Sequence, residues 1–485
     1  MSKTKHFEDI IASQGRLIYT NKGDSMFPFI QPRDLLVIEK AEQPLKRWDI
    51  PLYKRDSGQY VLHRIVDINE NGYVMCGDNR SQCEYGVLQR QIIGSLTAII
   101  REGDTIPVEQ IPNPSVVKAA DDLLYLVSCA VNERQPSPER CKAMYLPSVY
   151  GLASAHYLTS AAAIALEQVM PLPHAFDQSK KKAIRKLSLF DIEREDILRA
   201  FDEAGIWHVP LKGIVIKELY PKSAMREMSD NDILCDPSKM GEIKALMERK
   251  GYVCNRFEEL NHDEYSKPPT LEFEMHHSLF VEKEMPRFAK YYADIKERLE
   301  PVGGCGCRFG DEDFYIYMLC HMYKHYTHAG TGLRSLLDIY VYLRAKPGLD
   351  RVYLHKELKK LRLDAFEKEM RDLSQKVFAL QPLSTREHKE QMRFVFAGTY
   401  GTEERMEYSS WLKRLGDDSR SSKRRYFWKR VFISGDSLRE CYPFVARHKI
   451  LYPFLIVYRP FKGVFTHPKG IIREIKALNK FKKKD

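Results

Sequence analysis

No stretch of this 485-residue chain approaches the roughly 20 consecutive apolar residues that a membrane-spanning helix needs. The segment 1–25 also lacks the apolar core of a secretory signal, so the chain is expected in the cytoplasm. Peripheral contact with the inner face of a membrane is the alternative. No Cys-x-x-Cys pair occurs among the ten cysteines, whose closest two are Cys305 and Cys307. That excludes zinc-ribbon and thioredoxin-like sites and leaves free, mostly buried thiols. His-Glu-x-x-His is absent as well: His321 and His325 are one helical turn apart, but Met322 stands in the glutamate's place. They could bind zinc together or simply be satisfied core histidines. There is no internal repeat.

What is present is enough chain for two or three domains. The net charge of +11 is concentrated, because from Cys441 onward eleven Lys or Arg face only Glu474 and Asp485. Such a tail suits nucleic acid, acidic lipid or an acidic protein, or is a solvated terminus. Between Tyr442 and Phe465 aromatics alternate with basic residues, a texture that fits a membrane surface, single-stranded nucleic acid or packing on the domain before it. Residues 15–101 read as β structure, in short apolar runs separated by Gly, Pro, Asp and Asn, with Asn69-Glu70-Asn71-Gly72 as a hairpin turn. Thr105 to Pro114, with three prolines, reads as a linker. Helical spacing follows to Gly205, for example Leu123, Leu124 and Val127, then Ile192, Ile197, Leu198 and Phe201. β-like runs near Trp207–Leu211, Ile233–Cys235 and Leu271–Met275 come next, and helices resume over 311–345 and 350–380.

Two constellations carry chemistry. In Gly23-Asp24-Ser25-Met26-Phe27-Pro28 a serine sits in a turn, and a serine becomes nucleophilic only when a neighbouring base takes its proton. His63, in an alternating Val61-Leu62-His63-Arg64-Ile65 strand, is either that base or a half-buried core histidine. The boxes Gly-Asp-Ser-Met-x-Pro, His-Arg-Ile, Gly77-Asp78-Asn79 and Ile93-Gly94 resemble the histidine-using branch of the type I signal peptidases, relatives of the self-cleaving repressor peptidases. The resemblance implies Ser25 as nucleophile and His63 as general base. Glu84 or Asp78 would orient the imidazole, as the third member of a triad does. It implies no cofactor. Without a membrane anchor the implied substrate is a cytoplasmic peptide or protein, the chain itself included.

The second constellation is Asp230-Asn231-Asp232, whose carboxylates share one side of an extended segment and repel unless a cation sits between them. Leu271-Glu272-Phe273-Glu274-Met275-His276 offers a third carboxylate on a strand that alternates strictly. Upstream, Leu211-Lys212-Gly213 forms a β-to-helix turn that lets backbone N–H groups approach a phosphate. These boxes, with Tyr220, Arg226, His321, His325, Leu333, Arg334 and Asp338, resemble the uncharacterised nucleotidyltransferase family of the DNA polymerase β superfamily, from about Val117 to at least Ala345. The resemblance implies that Asp230, Asp232 and Glu274 hold Mg²⁺ or Mn²⁺ and that Glu274 helps activate an acceptor hydroxyl. Lys212 and Gly213 would contact the phosphates. Arg226 either neutralises phosphate charge or makes a structural salt bridge.

The expected architecture is therefore multidomain: a mostly-β peptidase-like module at 1–104, a linker at 105–116, an α/β polymerase β-like core with surrounding helices at 117–410, and a basic, aromatic-rich extension at 411–485. The expected function is nucleotidyl transfer from a nucleoside triphosphate to a protein, RNA or small-molecule acceptor, joined to serine endopeptidase activity in a bacterial setting. The alternative is a protein of a peptide-modification pathway that binds peptide or nucleotide without chemistry.

Overall fold

The computed structural model describes residues 6–41, 44–80 and 82–398, so the extension at 411–485 and its basic, aromatic segment lie outside the described residues. One compact unit comprises the described residues up to His321 together with those from Gly332 onward. Of a second unit, residues 322–331 are described, closed by a Gly330 N–H donated to the His325 carbonyl at 3.0 Å.

The first unit opens with helix α1 (Phe7–Gln14) and nine strands: β1 (Arg16–Thr20), β2 (Leu35–Glu39), β3 (Pro51–Lys54), β4 (Tyr60–Leu62), β5 (Arg64–Asn69), β6 (Gly72–Cys76), β7 (Glu84–Val87), β8 (Ile92–Arg101) and β9 (Asp104–Pro107). They form a sheet in the order β1-β2-β8-β3-β4, with β9 on β8, and a second sheet β5-β6-β7. One apolar core gathers Leu36, Ile38, Leu52 and Ile99, and a smaller one gathers Tyr53, Ile65 and Met75. The hairpin closes where Asn69 pairs with Gly72, whose φ of 111° suits glycine. A Cβ there would meet the Val87 carbonyl at 2.6 Å.

Two expectations change. The strand read through His63 is broken at that residue, because β4 belongs to one sheet and β5 to the other. The first part of the expected linker completes the module: β9 pairs with β8, and Ile111 packs into the core beside Leu96 and Ile99. Ser115 then caps the next helix by accepting from the Lys118 N–H at 3.2 Å.

The rest of the unit is helices around a seven-stranded sheet. In chain order come α2 (Val116–Val131), α3 (Pro138–Lys142), α4 (Leu146–Ala155), α5 (Thr159–Leu166), α6 (His174–Glu203), β10 (His208–Pro210), α7 (Gly213–Ile216), β11 (Asn231–Cys235), α8 (Met240–Arg249), β12 (Val253–Arg256), β13 (His262–Lys267) and β14 (Leu271–His276). Then follow α9 (Pro286–Tyr291), β15 (Leu299–Gly303), β16 (Gly306–Phe309), α10 (Asp311–His328), α11 (Leu333–Ala345), α12 (Arg351–Leu361), α13 (Asp364–Phe378) and α14 (Thr385–Ala397). The sheet order is β12-β13-β14-β11-β10-β16-β15. β11 and β14 run parallel, and their register sets Asp232 beside Glu274. Phe190, Ile197 and Phe201 of α6 are buried with Ile233, Phe273 and Met275 of the sheet. Ile192 lies off that face and is 64% exposed.

Candidate active site

Alternation places the acids. Phe273 and Met275 point into the core, which turns Glu274 to the other side of β14, the side Asp232 takes on β11. One carboxylate oxygen from each of Asp230, Asp232 and Glu274 can be chosen so that all lie within 4.8 Å of one another. The Lys212 ammonium forms an ion pair with Asp232 and lies 3.9 Å from Glu274. It is brought there by a backbone at φ 45°, ψ −121°, a conformation non-glycine residues rarely take. Burial alone would depress this ammonium's pKa, but Asp232 and Glu274 outweigh it and hold it above the ordinary lysine value. Asp232 is held well below the usual carboxylate range, its burial offset by Lys212 and by His276. Asp230 is pushed up to about 6 by burial and by the neighbouring Asp232.

Charge therefore remains unbalanced: three carboxylates face one ammonium, and Asp230 is forced toward protonation. An all-oxygen donor set of this kind fits a hard divalent cation such as Mg²⁺ or Mn²⁺. A second group that could hold a metal, His262, Glu274 and His276, shares Glu274 with the first. His276 donates from Nε2 to Asp232 at 3.0 Å and lies 3.3 Å from Glu274. Burial opposes its charged form, while the hydrogen bonds to Asp232 and Glu274 outweigh that and raise its pKa. Its Nδ1 faces Asn261 Nδ2 at 3.3 Å, and that amide also donates to the Ser278 carbonyl at 3.0 Å. Because the amide nitrogen is fixed as a donor, the ring's Nε2 proton is aimed at Asp232 rather than leaving that nitrogen to a metal. The carboxylate trio is the better cation site of the two.

Arg226 is committed elsewhere. Its Nε lies 2.8 Å from Asp338 Oδ1, Nη2 donates to Oδ2 at 2.9 Å, and Nη1 donates to the Glu227 carbonyl at 2.8 Å. Tyr220 donates to the same Asp338 at 2.7 Å, so of the two readings of Arg226 the geometry favours the buried salt bridge. Gly213 packs close to this arginine: a Cβ would lie 3.5 Å from its Nη1 and 3.4 Å from Met228 Cγ.

In the N-terminal module the Gly77-Asp78-Asn79 segment carries the Ser25 turn. The Asn79 N–H donates to the Ser25 carbonyl at 2.8 Å, and Asn79 Nδ2 donates to the Asp24 carbonyl at 3.1 Å. A Cβ on Gly77 would come within 2.6 Å of the Ser25 carbonyl and 3.0 Å of His63 Nε2. The serine turn and the imidazole are thus neighbours across a residue that only glycine can fill. Burial and the nearby Arg55 lower the His63 pKa to about 4, keeping the ring neutral at neutral pH. Of the two candidate acids, Asp78 is occupied by Arg64, at 2.9 and 2.8 Å, with both side chains buried. Glu84 instead accepts from the Tyr53 hydroxyl at 2.9 Å, and that hydroxyl is 3.5 Å from His63 Nδ1. Glu84 is also anchored by Arg55.

Sequence reasoning missed Asn261, His262, Tyr53 and Arg55. Tyr53 lies in β3 and Arg55 just after it, outside any motif, and Asn261 and His262 stand at the start of β13, which has no apolar run to betray it. His321 and His325 do lie on one helix, α10. Among the described residues, neither belongs to a group of three or more side chains that could hold a metal. No described helix is long and apolar enough to cross a membrane.

No curated protein matches the chain, and no solved structure does. Residues 149–379, the span that contains Lys212, Gly213 and all three clustered carboxylates, match the model of an uncharacterised nucleotidyltransferase family.

Proposed function

We propose that this domain transfers a nucleotidyl group from a nucleoside triphosphate to an acceptor hydroxyl. The observation that carries the reading is the convergence of Asp230, Asp232 and Glu274 around a site short of positive charge. Mg²⁺ or Mn²⁺ held there would neutralise charge on the attacking and leaving oxygens together. The chain's own groups do the positioning. The acceptor oxygen bonds to the α-phosphorus, the bond to the bridging oxygen breaks, and pyrophosphate leaves. Glu274, turned to the same side as Asp232, is the group we assign to receive the acceptor's proton. Lys212 and His276 hold Asp232 ionised and fixed in direction. The backbone at Lys212-Gly213 is the segment we assign to a phosphate. A protein, an RNA end and a small molecule all present suitable hydroxyls.

The experiment is to incubate the full chain with each of the four labelled nucleotides, Mg²⁺ and cell extract. Label should move to an acceptor, and Asp230→Asn or Asp232→Asn should reduce transfer at least about a thousandfold, as loss of a charge-stabilising group does. Nucleotide binding without transfer would instead support the non-catalytic reading.

A second reading, peptide-bond cleavage by Ser25 with His63 as base, is favoured by the approach of the serine turn and the neutral imidazole across Gly77. Glu84, acting through the Tyr53 hydroxyl, is the acid we assign to it. Ser25→Ala should abolish cleavage of a cytoplasmic peptide or of the chain itself; undiminished cleavage would remove Ser25 from the role. Together the two activities suit a bacterial, cytoplasmic pathway that modifies and trims a peptide, with the basic C-terminal segment as a contact for acidic lipid or nucleic acid.

A further inference from the structure

Beside the carboxylate centre lies a groove of about 380 Å³ whose lining includes Tyr150, Ser179, Lys182, Lys186, Arg226 and Thr270. It reaches the centre at two points. Arg226 and Met228, which line it, are the residues that crowd Gly213, and Lys186 donates to the Ser229 carbonyl at 2.7 Å, next to Asp230.

Its lysines stand out in having no carboxylate in an ion pair, although Lys186 also lies 4.9 Å from the centroid of the Phe190 ring. Lys180 and Lys181, immediately before them on α6, are paired with Glu167 and Asp177. Among the described residues, neither Lys182 nor Lys186 forms an ion pair, although they stand one helical turn apart, where like charges repel. Half-burial depresses the Lys186 ammonium; Glu272 and Asp230 offset part of that, and Lys182 adds to it. The remaining lining does not relieve this. Arg226 is sealed on Asp338, and the Glu227 carboxylate is turned away to accept the Ser160 N–H at 2.8 Å. Hydroxyls join them, Ser179 on the same helix one turn before Lys182 and Tyr150 of α4, 2.9 Å apart. Ammonium groups beside hydroxyls are the donors that a chain of phosphates uses. With Lys212 already held by Asp232, Lys186 is a lysine of the groove whose charge reaches Asp230.

We propose that this groove binds the phosphate chain of a substrate, so that the phosphates enter from the Lys182–Lys186 side and the reacting phosphorus reaches Asp230. The proposal rests on the nucleotidyl-transfer reading for its orientation, but its test does not.

Calorimetric titration of the full chain with inorganic tripolyphosphate and Mg²⁺ should show binding that weakens as salt rises. Lys182→Gln/Lys186→Gln should weaken it about tenfold or more, since charge-assisted bonds to phosphate are lost. Lys182→Gln alone, at an exposed position, guards against a folding defect and should cost about threefold by the same argument. Arg185→Gln, an exposed cation of α6 outside the groove, should change nothing. Unchanged binding in the double variant, or no binding of tripolyphosphate by the wild type, overturns the assignment. Competition separates the sources. Displacement by a nucleoside triphosphate marks the groove as the nucleotide's; displacement by a 5′-phosphorylated oligonucleotide alone marks it as the acceptor's; displacement by neither overturns it. If tripolyphosphate binds through these lysines while no labelled nucleotide is ever transferred, the groove stands and the transferase reading falls.

Discussion

Lys212 holds a strained backbone, worth about 1–3 kcal/mol, to carry an ammonium onto Asp232 and near Glu274. Removing that charge leaves partly buried carboxylates without their partner. In metal-free buffer Lys212→Met should lower stability by about 3 kcal/mol. Added Mg²⁺ should close part of the gap by restoring positive charge, as thermal melts with and without chelator would read. An equal gap in both buffers would deny the cation site. His156 makes a separate prediction. It is fully buried, its Nδ1 accepting from the Leu333 N–H at 3.1 Å and its Nε2 facing the Val395 carbonyl at 3.1 Å. Burial lowers its pKa to about 4. The unfolded chain therefore takes up a proton first as pH falls. Stability is constant above about pH 6.5 and is lost between there and pH 4, by about 3 kcal/mol for this histidine. Denaturant unfolding at pH 7 and pH 4.5 should show that loss shrinking in His156→Gln. His63 shifts in the same direction, so cleavage that depends on its free base should stay flat from pH 7 down to about 5. At this scale the sequence was informative where the chemistry is local: Asp230, Asp232, Lys212 and Glu274 stand in short motifs. Asn261, which directs His276, has no motif, because its role arises only once two strands pair.

The elements show the same division. β14 was legible because Leu271, Phe273 and Met275 alternate with polar residues. Its neighbour β13 was not, since one of its inward residues is Asp263, a buried carboxylate that accepts the Glu258 N–H at 2.8 Å and breaks the apolar pattern. β15 hid for the opposite reason: its residues are exposed and show no inward face. In α6 the helical period was plain, and Ile197, fully buried with Phe190 and Phe201, anchors it to the sheet. Ile197→Ala should cost about 3 kcal/mol, measured by denaturant unfolding, because the neighbours can only partly fill the space. A cost below about 1 kcal/mol would mean the helix is not seated there. The prolines of 105–114 suggested a linker, yet the first of them ends a strand and Ile111 fills a core position, which proline content alone does not reveal.

For the whole molecule, the β module and the helices of the larger domain touch through side chains far apart in sequence. Arg47 grips Asp121 at 3.0 and 3.2 Å, Thr385 donates to Glu70 at 2.6 Å, and Tyr85 lies 3.4 Å from His388. These are polar and partly exposed contacts, each worth at most about 1 kcal/mol. The apolar cores on either side are separate. The two candidate sites should therefore act independently: Ser25→Ala should leave nucleotide transfer within about twofold of the parent, and Asp230→Asn should leave peptide cleavage equally unaffected. A cross-effect beyond tenfold would show coupling through the contacts at Arg47 and Glu70. None of those contacts was visible in the sequence, because each pairs residues from different domains with no shared pattern.

The pairing of Asp232 with Glu274 has one more consequence. Two strands either meet in this alignment or are shifted by whole residues, and a shift of one would send Glu274 inward and Phe273 out. The centre is consequently a quantised object, present or absent but never slightly mis-set by its own sheet. In a denaturant series the number of working molecules should decline while each survivor keeps its full turnover rate.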